Sequence, residues 1–263
     1  MTKDDIVSFV DNLSDDQTEI VVSISHKDDD HTNYLPYLME HISHSQSIEK
    51  IVIAQTIEEY NPETQDWLNE NVHGVETYEA DYYSSIEPES SLSCPVDGFA
   101  SYILTVNSGV EPNDKSMVVL SKLGASQVIF TGDMTGKTEA QIFSNLALLG
   151  DSAHFQLADT DLLFGAHHGA STNGSNNKKW ADATSPEAVI YSAGERYSHP
   201  TCEALDVYQT VLDFGEPHAL QCSSTGAYMK FETSNANFLT HTNGLIVATP
   251  NNEGGFQIST FDF

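Results

Sequence analysis

The sequence predicts an α/β protein, and three observations predict it. Short apolar runs of strand length alternate with segments of helical periodicity. Four of those runs end in polar residues able to bind a ligand. No internal repeat or linker interrupts the chain, so residues 1–263 read as one domain with two sheets and surface helices.

Ile6, Phe9 and Val10 stand at helical spacing and predict a helix over 4–13; the apolar segment 19–25 then reads as a strand. Directly after it comes His26-Lys27-Asp28-Asp29-Asp30-His31. These imidazoles and carboxylates offer the mixed nitrogen and oxygen donors that Zn²⁺, Mn²⁺ or Fe²⁺ accept. Alternate residues of an extended segment project to one side, so His26, Asp28 and Asp30 can converge while His31 enters at the bend. The competing reading is a solvated acidic loop. Leu35 to Ile42 reads as a short helix with Pro36 in its first turn, and 50–54 as a buried strand.

Residues 76–98, rich in Glu, Ser and Tyr, read as an irregular excursion before the strand 101–106. Further strands are expected over 116–121 and 127–130, the latter ending in Thr131-Gly132-Asp133. A helix carrying Glu139, Ile142, Leu146 and Leu149 follows. Segment 161–165 then leads to Ala166-His167-His168-Gly169-Ala170-Ser171, and strand 188–192 to Arg196-Tyr197-Ser198-His199-Pro200.

Ten Lys and Arg against 39 Asp and Glu give a net charge of −29, which leaves few groups to contact phosphates and makes a long nucleic acid a doubtful partner. No apolar run is long enough to span a membrane and no signal peptide is visible, so a soluble, cytoplasmic protein is expected. Cys94, Cys202 and Cys222 form neither a metal pair nor an even disulfide set, and read as small core residues or inert thiols.

Taken in order, these motifs resemble the metallo-β-lactamase superfamily, in particular the metallohydrolase domain of ComEC-type competence proteins. The first motif resembles the branch in which Asp28 replaces the second His of His-x-His-x-Asp-His. Asn113 through Ser116, Thr131-Gly132-Asp133, His167-His168-Gly169-Ala170-Ser171 and Tyr197-Ser198-His199-Pro200 resemble its later motifs. The resemblance implies a four-layer αββα sandwich with one or two divalent ions, Zn or Mn, at one edge. Asp30, His31, Asp133 and His167 or His168 would hold one ion, and Asp133 would bridge to a second near His26 and Asp28. A metal-bound hydroxide would be the nucleophile. His167 is the favoured ligand, with His168 contacting substrate or supporting the site. His199 would be a ligand or general acid, and Arg196 would suit a phosphate oxygen or a carboxylate. Asn113 and Ser116 would orient substrate or a bound water. Lys137, Lys178 and Lys179 read as surface lysines.

Two departures stand out. The chain begins at the helix without the family's N-terminal β-hairpin, which would leave a sheet edge for a partner chain or a second copy to cover. Thr32-Asn33 replace the Gly-Gly that usually follows the first motif. The expected activity is a metal-dependent hydrolase acting on a phosphorylated or ester substrate, most readily a phosphodiesterase or nuclease-like enzyme. The alternatives are an esterase or lactonase of the same fold and a catalytically degraded binding or structural member.

Overall fold

The computed structural model describes residues 3–13, 20–43, 48–71, 74–84, 87–94, 96–194, 197–212, 217–251 and 254–261. The chain is α/β with mixed sheets. Helix α1 (Lys3–Leu13) precedes β1 (Ile20–Ile24), α2 (Asp29–Thr32), α3 (Leu35–His41), β2 (Ile48–Ala54), α4 (Pro62–Asn71) and β3 (Val75–Tyr78). Then come β4 (Phe99–Thr105), β5 (Val118–Leu123), β6 (Ser126–Phe130), α5 (Gly136–Leu149), β7 (Leu162–Phe164), α6 (Lys178–Thr184), β8 (Ala188–Tyr191) and α7 (Cys202–Gln209). The C-terminal part holds β9 (Pro217–Ser224), β10 (Ala227–Ser234), β11 (Asn237–Leu239), α8 (Thr240–Asn243), β12 (Leu245–Pro250) and β13 (Phe256–Phe261).

Strands β1, β2 and β3 form a parallel sheet in that order, so β1 is an edge that pairs only with β2 among the described residues. A six-stranded sheet has the order β11-β8-β7-β6-β5-β4, antiparallel on the β4-β5-β6 side and parallel from β6 to β11. Two hairpins, β9–β10 and β12–β13, complete the strands.

The period-two alternation of side chains explains the packing. In β2, Ile51 and Ile53 join Met39, Trp67 and Leu68 of α3 and α4, with Val7 and Val10 of α1 against them. Val52 and Ala54 point the other way, onto Ile103 and Val119 of the larger sheet. The opposite face of that sheet, with Leu104, Leu120, Ile129, Leu163 and Val189, packs on Ile142 of α5, Trp180 of α6 and Leu205 and Tyr208 of α7. A strand buried on both faces reads as a continuous apolar run, which is why β2 was legible. The face that meets β2 continues past β6. There Leu162 and Ile190 are covered by Ile246 and Ala248 of β12 and Phe256 and Ile258 of β13. Leu245-Ile246-Val247-Ala248 is an apolar run of strand length that was unassigned among the expected elements, and the hairpin covers the outer half of a face whose inner half lies under β1–β3.

One expectation is corrected. Cys202 and Cys222 form a disulfide with Cα atoms 5.0 Å apart. Cys202 opens α7 and Cys222 lies in β9, and the packing of α7 on β9 and β10 brings together two residues that sequence spacing keeps apart. Among the described residues no helix is long and apolar enough to cross a membrane.

Candidate metal centre

Chain direction gathers the site. Strands β1, β6, β7 and β8 each end where a motif begins, and the shared direction of β6, β7 and β8 puts their C-terminal loops at one edge of the sheet. Asp133, buried, sits at the centre. His31 Nε2 lies 3.1 Å from its Oδ1 and His168 Nε2 3.5 Å; His26 Nε2 and His167 Nε2 each lie 3.7 Å from Oδ2. His168 Nε2 is also 3.3 Å from Asp30 Oδ2, and His26 Nε2 is 3.6 Å from Asp28 Oδ2.

Two donor sets result, His26-His31-Asp133 and Asp30-His31-His168, each with donor atoms within 4.8 Å of one another. The first is largely buried, with His26 fully so, and could hold a metal ion. The unsatisfied polar atoms fit such an ion: His26 Nε2, His31 Nε2, His168 Nε2 and Asp133 Oδ1 are buried without a hydrogen-bond partner among the described residues. Leaving so many buried polar atoms unpaired costs about 1–3 kcal/mol each, a penalty that coordination would remove.

The surroundings select the nitrogen that each ring presents. Ser25 Oγ lies 3.1 Å from His26 Nδ1 and 3.2 Å from His31 Nδ1. This hydroxyl can accept from both Nδ1–H groups, and in that tautomer both Nε2 lone pairs face Asp133, the arrangement a cation would use. His168 Nδ1 likewise donates to the Ser192 carbonyl at 2.6 Å and turns its Nε2 toward Asp30 and Asp133. Ser25 carried no motif signal, and Ser192 acts through its backbone, so sequence reasoning missed both.

The His167-His168 loop has an unusual backbone. Both residues are left-handed, with φ of 49° and 55°, which costs a non-glycine residue of order 1–3 kcal/mol. Buried Asn176 holds them there. Its Oδ1 accepts from Ala166 N at 3.0 Å, and its Nδ2 donates to Ala166 O and Ala170 O, both at 2.7 Å. Asn176 N donates in turn to Glu139 Oε1 at 3.1 Å. His167 N donates to Gly132 O at 3.0 Å, tying this loop to the one bearing Asp133. Gly132 has φ of 52°, and a Cβ there would come within 2.7 Å of Ser25 Cβ, so both backbone and space require glycine.

The remaining expected residues fall as follows. Asp30 and His168 belong to one donor set, whereas the favoured His167 stands beside Asp133 with Asn113 Nδ2 3.3 Å from its Nε2. Ser116, expected to orient substrate, is fully buried, and its Oγ accepts from Asp133 N at 3.1 Å. His199 lies beyond His167, ring centroids 5.7 Å apart, with a buried, unpartnered Nδ1. Arg196 lies outside the described residues. Lys137 pairs with Asp114 at 3.0 Å, Lys178 with Asp182 at 2.6 Å, and Lys179 stands over the Phe143 ring.

Electrostatics follow this geometry. Burial alone would raise the Asp133 pKa, but the rings of His31, His168 and His26 hold the carboxyl well below the usual range. Burial disfavours the charged His31 ring, yet Asp133, Asp30 and Asp28 together raise its pKa, so without a cation the Nε2 facing Asp133 favours a proton, which a bound ion would displace. His167 and His199 are pushed down, first by burial and then by neighbouring imidazoles. Asp28 is held low by the ring of His26. The cluster thus carries an ionised central carboxylate, the state a cation requires.

A cleft of about 480 Å³ opens from this centre and shares Asp30, His31, Asp133 and His168 with it. No protein-family model matches the sequence, and no curated protein matches it either.

Proposed function

We propose that this protein is a metal-dependent hydrolase built as the four-layer αββα sandwich of the metallo-β-lactamase type. The carrying observation is the convergence of buried, unpartnered Nε2 atoms of His26, His31 and His168 on the ionised Asp133 carboxylate. Packing supports the layering: helices α1, α3 and α4 lie on one sheet, α5, α6 and α7 on the other, and an apolar interface lies between the sheets. The donors are imidazole and carboxylate, without thiolate in either set, which suits Zn²⁺ or Mn²⁺. A bound divalent cation would polarise the scissile group and bring the pKa of a water toward neutrality.

The chain's own residues do the rest. Ser192 O fixes the His168 tautomer, Ser25 Oγ accommodates the Nδ1–H tautomers of His26 and His31, Asp133 supplies the central negative charge, and Ser116 and Gly132 hold it in place. His31 has one nitrogen facing both donor sets, so it could serve only one ion if two were held. His199, neutral near pH 7 because its pKa is lowered, is available to accept a proton beside His167.

The resemblance supports a phosphodiester as the bond cleaved. A carboxylic ester is the second reading, favoured by the absence of Lys and Arg among the described residues lining the cleft. Hydrolysis of bis-p-nitrophenyl phosphate and of p-nitrophenyl esters, each with Mn²⁺ or Zn²⁺, separates the two. Wild type should be active only with metal, and Asp133→Ala inactive; equal activity in the variant would remove the proposal. Failure to take up metal would leave the non-catalytic reading.

A further inference from the structure

The face of the six-stranded sheet that meets β1–β3 is covered at both sides and open in the middle. Val21 of β1 and Val119 of β5 border the gap on one side. The β12–β13 hairpin stands on the other, over Leu162 and Ile190. Between them Phe130 and Phe164 stack with ring centroids 4.9 Å apart, and Phe130 remains 43% exposed. Leu92 and Met117 close the inner end. The polar side chains of the walls are hydroxyls and the Cys94 thiol, and Ser101 and Ser121 satisfy each other at 2.8 Å. The only described carboxylates lining this cleft are Asp30 and Asp133, at the donor cluster.

Asp30 also borders a second, outer groove shared with Asp28, Asp29, Glu59 and Glu63. The donor cluster therefore stands at a threshold, with an apolar, cation-free cleft on one side and an acidic, solvent-facing groove on the other. A volume of about 480 Å³ is that of a small-molecule site.

We infer that the cleft binds an uncharged acyl or aryl arm of the substrate, placing the scissile ester or phosphodiester at Asp30, His31, Asp133 and His168. The inference rests on the hydrolase reading for the word substrate, but the binding itself does not require metal. Burying each methylene is worth about 0.8 kcal/mol, a fourfold gain in affinity, so chain length is the diagnostic variable.

Calorimetric titration of metal-free protein with neutral methyl ketones, 2-butanone to 2-decanone, should show dissociation constants falling by about fourfold per added methylene until the cleft is filled. With metal, kcat/KM should rise from p-nitrophenyl acetate to the octanoate, or from methyl to octyl p-nitrophenyl phosphate, according to which bond is cleaved. Phe130→Ser should flatten both series, whereas Leu148→Ala, on the exposed side of α5, should leave them unchanged. Metal-dependent hydrolysis with no chain-length dependence in turnover or ketone binding would overturn the inference and leave the hydrolase reading intact. Chain-length-dependent ketone binding in a protein that takes up no metal would support the cleft and remove the hydrolase reading.

Discussion

The loop 26–31 and the loop 165–170 bring imidazoles to the same carboxylate by different means. The first concentrates donors in sequence and has an ordinary backbone, with Ser25 alone orienting its two rings. The second brings two histidines through consecutive left-handed residues, and a buried amide ten residues beyond Ala166 keeps them there. Donor density does not need a costly scaffold, whereas a strained backbone does. Damage to the first loop should therefore show mainly in metal affinity, and damage to the second mainly in stability.

The largest effect should come from Asn176→Ala. It leaves Ala166 N, Ala166 O and Ala170 O without their buried partner and should cost about 3–5 kcal/mol in denaturant unfolding. A loss below about 1 kcal/mol would mean that the loop holds its own conformation. Gly132→Ala acts at the junction of the two loops, because its Cβ would collide with Ser25 while its carbonyl accepts from His167. A loss of about 2–3 kcal/mol and weakened metal binding are expected together.

Glu139, which accepts from Asn176 N, gives the comparison a pH signature. Burial raises its pKa from an ordinary 4.5 to about 8, against the hydrogen bonds it accepts from Asn176 and Asn177. Below pH 4.5 the carboxyl is protonated whether the chain is folded or unfolded. Between there and pH 8 the unfolded chain has released a proton that the folded one keeps, so this contribution to stability falls as pH rises, by on the order of 1 kcal/mol per pH unit. Above pH 8 the slope ends. Glu139→Gln should remove that slope, and a variant whose stability differs from wild type by the same amount at pH 5 and pH 8 would contradict it.

Ser25→Ala should be the mildest in stability, about 1 kcal/mol, yet weaken metal affinity by roughly 10–100-fold through loss of tautomer control. Equal metal affinity in Ser25→Ala and wild type would erase the contrast between the two loops.

The same contrast explains what was legible. The alternation of apolar runs and helices, the acidic histidine motif and Asp133 at a strand end are local patterns, and the chain shows them directly. Asn176, Ser25 and the Ser192 carbonyl act only through tertiary contact and carry no pattern of their own. Which of His167 and His168 faces Asp30 depends on two left-handed backbone angles that spacing cannot encode. The β12–β13 hairpin carries no ligand-capable motif, and its place beside Phe130 and Phe164, next to the cleft, is set by tertiary packing. The Cys202–Cys222 disulfide joins α7 to β9, a pairing set by helix–strand packing that three widely spaced cysteines do not specify in sequence. Disulfides persist in oxidising surroundings, which sets this bond against the expected cytoplasmic location.

The most direct test of the central claim is metal uptake by wild type and Asp133→Ala, measured by elemental analysis and thermal unfolding with Mn²⁺ or Zn²⁺. Wild type should retain at least one ion per chain and gain about 2.7 kcal/mol at a free metal concentration one hundred times Kd, and Asp133→Ala should do neither. Wild type without stoichiometric metal and without a stability gain, indistinguishable from Asp133→Ala, would contradict the account.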